Sequence, residues 1–267
     1  YYDIIVLELT KSRETNLGLV ALAEECLKDG GKMIINGDNR IGIKSFLQNI
    51  SNQWPPEITL IKKKGRIALY QKKKQLFGRW KKYQGFDKNS DGYYTRCDMF
   101  SPKEIDKGSR KLVSVFCTKL FGEVADLGAG WGYLSKEALR LNKKITRITL
   151  FESNYSAYLA SKKNIDDKRA TFRWASLENI RNLRLRFDHV SCNPPFHSGR
   201  RKDVELLKSF IFYSSRLIDL RGSVWMVFVS GVYLENELKD HFDNIKILYK
   251  DKHYFVCQLL KPIIKEV

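Results

Sequence analysis

The sequence lacks the cysteine and histidine patterns of disulfide-bonded and metal-binding proteins. Its five cysteines are odd in number and widely spaced, never as C-x-x-C, and its four histidines show no metal-ligand spacing. These absences exclude a disulfide framework and a zinc knuckle. They favour a cytoplasmic protein that binds no metal.

Long apolar runs are missing as well. The longest, Val224 to Val229, is far too short to cross a bilayer, and no signal peptide is visible, so no membrane partner is expected. The 267 residues are 43% hydrophobic and 12% aromatic, enough for the core of one large or two modest domains. Because the first residue is Tyr1 and not Met, we expect residues to be missing upstream.

Negative charge is scarce relative to positive charge. The chain has 48 Lys and Arg against 30 Asp and Glu, a net charge of +18, which favours a polyanionic partner such as nucleic acid. Ten of the cations lie between Lys62 and Lys82, where no acid occurs. Four aromatic residues are interleaved with them: Tyr70, Phe77, Trp80 and Tyr83. Since aromatic faces stack on bases and ammonium groups bind phosphate, this stretch predicts RNA contact. The candidate contacts are Lys72, Lys73 and Lys74; the alternative is a solvated surface.

A weak internal repeat divides the chain into two related α/β halves. Tyr2–Val6 resembles Phe187–Val190, and each is followed by a helical pattern that we expect to end at glycine, at Gly30–Gly31 and at Gly222. The repeat closes with two matching strands, Ile67–Gln71 and Tyr254–Gln258. A cluster of Gly, Asp, Asn and Ser over 85–92 marks the boundary, which gives one domain over 1–85 and another over 86–267.

Strands and helices alternate along the second half. The predicted strands are 123–127, 147–152, 170–173, 187–192 and 224–229, and the predicted helices are 133–141 and 157–164. Alternation of this kind predicts an α/β fold with a mostly parallel sheet and helices on both faces. Ligands bind such sheets at the carboxyl ends of the strands.

A glycine turn follows the first of these strands. The strand ends at Asp126-Leu127, and glycine then occupies alternate positions, Gly128, Gly130 and Gly132, before a helix begins. Glycine lets the backbone approach a ligand closely, and the helix start leaves N–H groups free. Glu152 ends the next strand, where a carboxylate can accept both hydroxyls of a ribose. The pattern predicts a nucleoside-bearing cofactor.

A second motif follows strand 187–192. Asn193 and the carbonyl of Pro194 can accept hydrogen bonds from a planar amino group, and Phe196 can stack on the ring that bears it. Pro195 adds a second fixed φ, so the loop is rigid. Beside a cofactor turn, this motif predicts a binding site for an amino-heterocycle or an amide nitrogen.

Together these motifs resemble those of class I S-adenosylmethionine-dependent methyltransferases. The closer resemblance is to bacterial rRNA guanine-N2 methyltransferases of small-subunit type C and large-subunit type G. Their N-P-P-F-H-x-G signature with a nearby Asp is matched by Asn193–Gly199 and Asp203, and their preceding pattern by Phe100-Ser101 and Ile105–Ser109. The resemblance implies a Rossmann-like class I methyltransferase fold, preceded by a partial, degenerate methyltransferase-like domain without cofactor.

The resemblance also implies an activity and its residues. The enzyme would transfer a methyl group from S-adenosyl-L-methionine to N2 of a guanine in 16S rRNA, as a monomer acting on rRNA or a ribosomal subunit. Catalytic residues would be Asn193, Pro194, Pro195 and Phe196. Cofactor-binding residues would be Asp126, Gly128, Gly130, Gly132, Glu152, Ser176 and Asn193. RNA contacts would be Phe196, His197, Arg200, Arg201 and Lys202.

Two departures from the family and three alternatives stand beside this hypothesis. Trp131 is large for a glycine turn, and Arg96–Met99 replaces the usual Leu-Pro-Gly-Val. Glu8-Leu9-Thr10 stands where the second half has Asn-Pro-Pro, so the first half is not a second active site of this kind. The alternatives are an adenine-N6 RNA methyltransferase, a protein-glutamine methyltransferase and an inactive RNA-binding module.

Overall fold

The computed structural model describes residues 1–180, 185–195, 201–231 and 234–263, the side chains of 201–203 excepted. They form two compact units. The first comprises Tyr1–Phe86 with Arg96–Asp98, and the second comprises Asp87–Thr95 with Met99–Val267. No helix among the described residues is long and apolar enough to span a bilayer.

The first unit is a four-stranded sheet with two helices. Its elements are β1 (Tyr2–Glu8), α1 (Arg13–Cys26), β2 (Leu27–Asp38), α2 (Ile43–Ser51), β3 (Ile58–Lys62) and β4 (Gly65–Gln71). The strand order is β1-β2-β4-β3, with β1 and β2 parallel and the other pairs antiparallel. One face of the sheet is buried, while the other exposes apolar side chains such as Ile4, Val6 and Leu60.

The second unit is built on a seven-stranded sheet. Its elements are β5 (Asp87–Lys88), β6 (Tyr94–Thr95), α3 (Lys107–Phe116), β7 (Gly122–Leu127), α4 (Tyr133–Leu141), β8 (Ile145–Glu152), α5 (Tyr155–Asn164), β9 (Ala170–Trp174), α6 (Leu177–Ile180), β10 (Phe187–Cys192), α7 (Arg201–Leu217), β11 (Ile218–Val229), α8 (Glu235–His241), β12 (Phe242–Lys250) and β13 (Tyr254–Pro262). The order is β12-β13-β11-β10-β7-β8-β9. The five strands from β11 to β9 pair in parallel, and β13 and β12 are antiparallel.

Both faces of this sheet are buried, because successive side chains of a strand point to opposite faces. Trp225 packs into one apolar cluster, with residues of α3 and α4, and Met226 into another, with residues of α7. The sheet therefore carries helices on both faces, as the alternation of strands and helices predicts.

The two units share a detail of strand pairing. Between Tyr2 and Ile4 the partners in β2 jump from Leu27 to Lys32, and between Phe187 and His189 the partners in β11 jump from Ile218 to Ser223. Each jump inserts three extra residues on the second strand. Strand order and pairing direction also agree, β1-β2-β4-β3 matching β10-β11-β13-β12.

This insertion corrects the predicted helix ends. The helices end at Cys26 and Leu217, and the glycines that were expected to cap them lie inside β2 and β11. A Cβ on Gly31 would lie 2.9 Å from the Lys28 carbonyl oxygen, and one on Gly222 would lie 3.0 Å from the Asp219 carbonyl oxygen. Both glycines are therefore required by a close backbone approach and not by helix capping.

The predicted match between the terminal strands is wrong by two residues. Gln71 pairs with Lys32, whereas the residue that pairs with Ser223 is Leu260 and not Gln258. A slip of two keeps every side chain on the same face of the sheet, so the hydrophobic pattern could not reveal it.

The aromatic residues of the basic stretch also depart from expectation. Tyr70, Phe77 and Trp80 are buried in the core of the first unit, where Phe77 stacks on Trp80 with ring centroids 4.2 Å apart. The buried carboxylate of Glu24 accepts the N–H groups of Leu76 and Phe77 at 2.6 and 2.9 Å, which holds this segment against α1. These three rings are not available for stacking on bases.

Gly222→Ala should lower the free energy of unfolding by roughly 1–3 kcal/mol, because its Cβ would press on the backbone oxygens of Asp188 and Asp219. Urea denaturation measures the change. Gly85→Ala is the matched control, since its Cβ would meet nothing closer than 3.5 Å, and it should cost less than about 0.5 kcal/mol. Equal stability of the two variants would contradict the close-approach argument.

Candidate active site

The glycine turn joins β7 to α4. Gly128, Gly130 and Gly132 have φ values of 67°, 56° and 91°, a backbone region that favours glycine. A Cβ on Gly128 or Gly132 would lie about 3 Å from Phe210 or Ile165, whereas one on Gly130 would meet no atom within 4 Å. Two of the glycines thus permit packing, and Gly130 borders open space that a ligand can occupy.

Glu152 holds this turn in place. One carboxylate oxygen, Oε2, accepts the N–H of Gly130 at 2.7 Å, and the other, Oε1, accepts the N–H of Asn154 at 2.7 Å. Burial raises the pKa of the Glu152 carboxyl. Each carboxylate oxygen can accept a further hydrogen bond, so Glu152 can bind hydroxyl groups of a ligand while it orders the turn.

Asp126 acts on the helix after the turn. It is fully buried at the penultimate position of β7, and its Oδ2 accepts the hydroxyl of Ser135 in the first turn of α4 at 2.6 Å. Its Oδ1 has no hydrogen-bond partner among the described residues. Burial and the charge of Glu152 raise the pKa of Asp126 to about 7. The geometry makes Asp126 an orienting residue for the turn and α4.

Asn193 follows β10, and its side-chain amide is held from the nitrogen end. Nδ2 donates to Oδ2 of Asp106 and to Oγ of Ser109, both at 2.8 Å. The same Asp106 oxygen accepts the N–H of Ser109 at 2.8 Å and so caps the N-terminus of α3. Because both amide hydrogens are used, Oδ1 remains as the acceptor. Next to it, Pro194 is buried and Pro195 is exposed.

One cleft brings the turn and Asn193 together. It is lined by Phe100, Ser101, Asp106, Ser109, Gly128, Ala129, Gly130, Trp131, Tyr133, Leu134 and Asn193. An acceptor for an amino group and a glycine turn for a cofactor thus share a single cavity. Ser176 is half-buried just beyond β9, near the exposed Trp174, whose indole donates to the Ser153 carbonyl at 2.9 Å. Ser176 does not line the cleft.

The sequence motifs do not predict the roles of several residues that form the cleft. Asp106 and Ser109 are predicted only as part of the family pattern, although an Asp directly before a helical segment is an N-cap signal. The bulky Trp131 fits because its ring is buried beside Tyr93, with centroids 4.9 Å apart, and its indole N–H donates to the Phe100 carbonyl at 3.0 Å. Trp131 therefore anchors a wall of the cleft and leaves the glycine positions open.

None of the predicted RNA contacts whose side chains are described lines the cleft. Phe196, His197 and Arg200 lie outside the described residues, as do the side chains of Arg201 and Lys202. In the first unit, the Lys72 ammonium donates to the Leu27 carbonyl at 2.6 Å and lies 3.6 Å from the Asp29 carboxylate, so much of its binding capacity is used. Lys73 and Lys74 are exposed. Within the described ranges, no group of three His, Cys, Asp or Glu side chains is placed to hold a metal ion.

Residues 93–258 match the family model of the methyltransferase small domain. This match spans well over half of the chain. The chain belongs to the methyltransferase small domain family. It is thereby a methyltransferase, and the predicted enzyme class is confirmed.

Individual relatives agree with this assignment. Ribosomal RNA small subunit methyltransferase C of Haemophilus influenzae is 25% identical over 253 residues, covering 92% of this chain and 76% of its own. The protein of the same name from Actinobacillus succinogenes is 26% identical over 265 residues, covering 96% and 78%. A solved 16S rRNA N2 methyltransferase of T. thermophilus, in complex with AdoMet and guanosine, superposes with a TM-score of 0.82 at 20% identity, covering 97% of this chain and 73% of its own. The class I methyltransferase fold is therefore confirmed.

Asp126 makes stability depend on pH. Its pKa of about 7 in the fold, against 3.8 in the unfolded chain, means that the folded state holds a proton which the unfolded state has lost between about pH 4 and 7. The stabilisation of the fold by protonated Asp126 is complete below about pH 4 and is lost as the pH rises through 7. Asp126→Asn removes this dependence. The free energy of unfolding of the variant, relative to that of wild type, should therefore rise by roughly 2–4 kcal/mol between pH 4 and pH 8.

Urea denaturation of both proteins across this range measures the difference. Comparison with the variant is essential, because burial lowers the pKa of His189 to about 4, which acts in the opposite sense below pH 6.5 and is common to both proteins. A difference in stability that does not change with pH would contradict the role of Asp126.

Proposed function

We propose that the chain transfers a methyl group from S-adenosyl-L-methionine to the exocyclic N2 of a guanine in 16S rRNA, in the cytoplasm. The observation that carries the proposal is the amide of Asn193, whose nitrogen is held by Asp106 and Ser109 so that its oxygen accepts. The names of the relatives support rRNA of the small subunit as substrate. The AdoMet and guanosine bound to the T. thermophilus enzyme support the cofactor and the base.

The residues of the cleft fit the cofactor. Gly130 borders open space, and the buried Glu152 carboxylate keeps acceptor capacity for ribose hydroxyls beside it. Gly128 and Gly132 bend the backbone into α4, and Ser176 is proposed to flank the adenine. When bound, S-adenosyl-L-methionine supplies an electrophilic methyl group on a positively charged sulfur. The negative charge of Glu152, and of Asp126 when ionised, favours a cationic ligand.

Orientation of the amino group is the proposed catalytic contribution of this chain. The N2 lone pair of guanine is delocalised into the ring and is a poor nucleophile. Hydrogen bonds from the amino group to Asn193 Oδ1 and to the Pro194 carbonyl would turn that lone pair out of conjugation and hold it toward the methyl group. Positioning of this kind lowers the barrier to forming the N2–methyl bond as the sulfur–methyl bond breaks. No strong base is needed, because N2 becomes acidic once it is methylated and loses its proton to water. Pro194 and Pro195 keep the acceptors fixed.

The RNA contacts of the proposal begin at the same loop. The target base is proposed to leave the RNA stack and to lie on Phe196. His197, Arg200, Arg201 and Lys202 would contact the flanking RNA, and Lys73 and Lys74 would add contacts in the first unit. Cations bind phosphate whatever the sequence, so these residues would set affinity while Asn193 and Phe196 select the base.

The function is tested with purified protein, labelled S-adenosyl-L-methionine and small subunits that lack the modification. We expect label in N2-methylguanosine, and Asn193→Ala should lower kcat by about 100-fold because the amino group loses an oriented acceptor. The dissociation constant of the cofactor, measured by calorimetry, should change by less than about threefold. Label in N6-methyladenosine, or no uptake of cofactor, would contradict the proposed reaction.

Asp106 is expected to act as a positioning residue. Asp106→Ala should lower kcat by about 10- to 100-fold, since Asn193 loses the carboxylate that fixes its amide, and should leave cofactor affinity unchanged. The variant also loses an N-cap, worth about 1 kcal/mol. Ser12→Ala, measured at saturating RNA, is the matched control, because Ser12 caps α1 in the same way and does not line the cleft. If both variants lost equal activity, the effect of Asp106 would be one of stability alone.

A further inference from the structure

The basic stretch of the first unit is divided by β4. Lys63 and Lys64 form the turn between β3 and β4, with Lys62 at the end of β3 and Arg66 at the start of β4, while the remaining cations follow the other end of β4. Gly65 pairs with Asp38 at the end of β2, and Gln71 pairs with Lys32, the sixth of its twelve residues. A seven-residue strand is about 20 Å long. The stretch therefore places its cations at two opposite ends of the sheet.

A cavity lies at the end where β1 and β2 finish. Its volume is about 140 Å³, and Lys11, Arg13, Ile41 and Gly42 are among the lining residues. The turn that contributes Ile41 and Gly42 also meets the β3–β4 turn, since the N–H of Asn39 donates to the Lys64 carbonyl at 2.7 Å and Arg66 Nε donates to Asn39 Oδ1 at 3.3 Å. The cavity and the β3–β4 turn thus form one continuous surface.

The six cations of this surface form no ion pairs with the described residues. None of Lys11, Arg13, Lys62, Lys63, Lys64 and Arg66 forms an ion pair with a residue that the structure describes, whereas the carboxylate of Asp38 is taken by Arg40 at 2.9 Å. At the opposite end, Lys28 and Lys72 are already paired with Asp3 and Asp29, whereas Lys73 and Lys74 are exposed. The segments 8–14, 38–42 and 62–66 together carry seven Lys and Arg against three carboxylates, those of Glu8, Glu14 and Asp38. Exposed like charges repel each other unless an anion binds between them.

We propose that this surface, at the edge of the first unit's sheet where β1 and β2 end, binds the phosphate backbone of the substrate RNA. The identity of that RNA rests on the proposed function. In the second unit the equivalent strand, β10, leads into Asn193, the proposed base acceptor. In the first unit β1 leads instead through Glu8-Leu9-Thr10 to Lys11 and Arg13. The same end of the repeated fold thus offers cations for phosphate in place of an amide for a base.

The test removes two charges in the full chain, by Lys63→Gln with Lys64→Gln. The affinity for an undermethylated 16S rRNA fragment should fall about tenfold in 0.1 M salt, and the slope of log affinity against log salt should decrease by about 1.4 to 1.8. Lys11→Gln with Arg13→Gln should act in the same direction. Filter binding over a salt series measures both quantities.

Lys143→Gln with Lys144→Gln is the matched control. These are also adjacent exposed lysines, and the Lys144 carbonyl accepts the N–H of Gly122 at 2.9 Å much as the Lys64 carbonyl accepts that of Asn39. They precede β8 at the end opposite Glu152, so RNA affinity should stay within about twofold of wild type. Equal losses in control and test variants, a test variant that binds like wild type, or wild-type protein without RNA affinity would each overturn the proposal. The affinity for S-adenosyl-L-methionine, measured by calorimetry, tests the proposed function separately, because no cation of this surface lines the cofactor cleft.

Discussion

The hydrogen bond from the Gly130 N–H to the Glu152 carboxylate is the contact on which the site depends. A glycine turn is the segment that loses most conformational freedom on folding, and here a buried carboxylate at the end of the neighbouring strand ties it down at 2.7 Å. Asp126 ties α4 to the strand below it through Ser135. Burying two carboxylates costs stability, which their raised pKa values express. A cationic ligand would offset that cost.

The second constraint is the direction of one amide. An asparagine amide has a donor, the NH2 group, and an acceptor, the oxygen, and these two ends are almost equal in shape. Asp106 and Ser109 accept both hydrogens of Asn193, which excludes the reversed orientation, since an oxygen facing the Asp106 carboxylate would be repelled. Because Asp106 also caps α3, the start of that helix and the acceptor for the amino group are set by a single carboxylate.

Local patterns predicted the elements of the second unit well. The helix Tyr133–Leu141 and the strand Phe187–Cys192 have the predicted bounds, since each is bordered by glycine, proline or charge. The contact between Asp106 and Asn193 spans 87 residues, and no local pattern encodes it. The aromatic residues Tyr70, Phe77 and Trp80 were misjudged because composition does not tell which side of a segment meets the core. Gly31 and Gly222 were misjudged because an inserted stretch in a strand and a helix cap both call for glycine.

Comparison of the two units distinguishes residues that the fold requires from residues that the reaction requires. Gly31 and Gly222 occupy equivalent positions, and each lies against the backbone of the preceding strand and of its own insertion. Any side chain there would push two strands apart, so the constraint holds in both units whatever they bind. Nothing in the backbone requires Asn-Pro-Pro at the end of the first strand, and the first unit has Glu8-Leu9-Thr10 there. Strand pairing can therefore persist after the chemistry at the strand end has changed, which leaves that end free to take up another ligand.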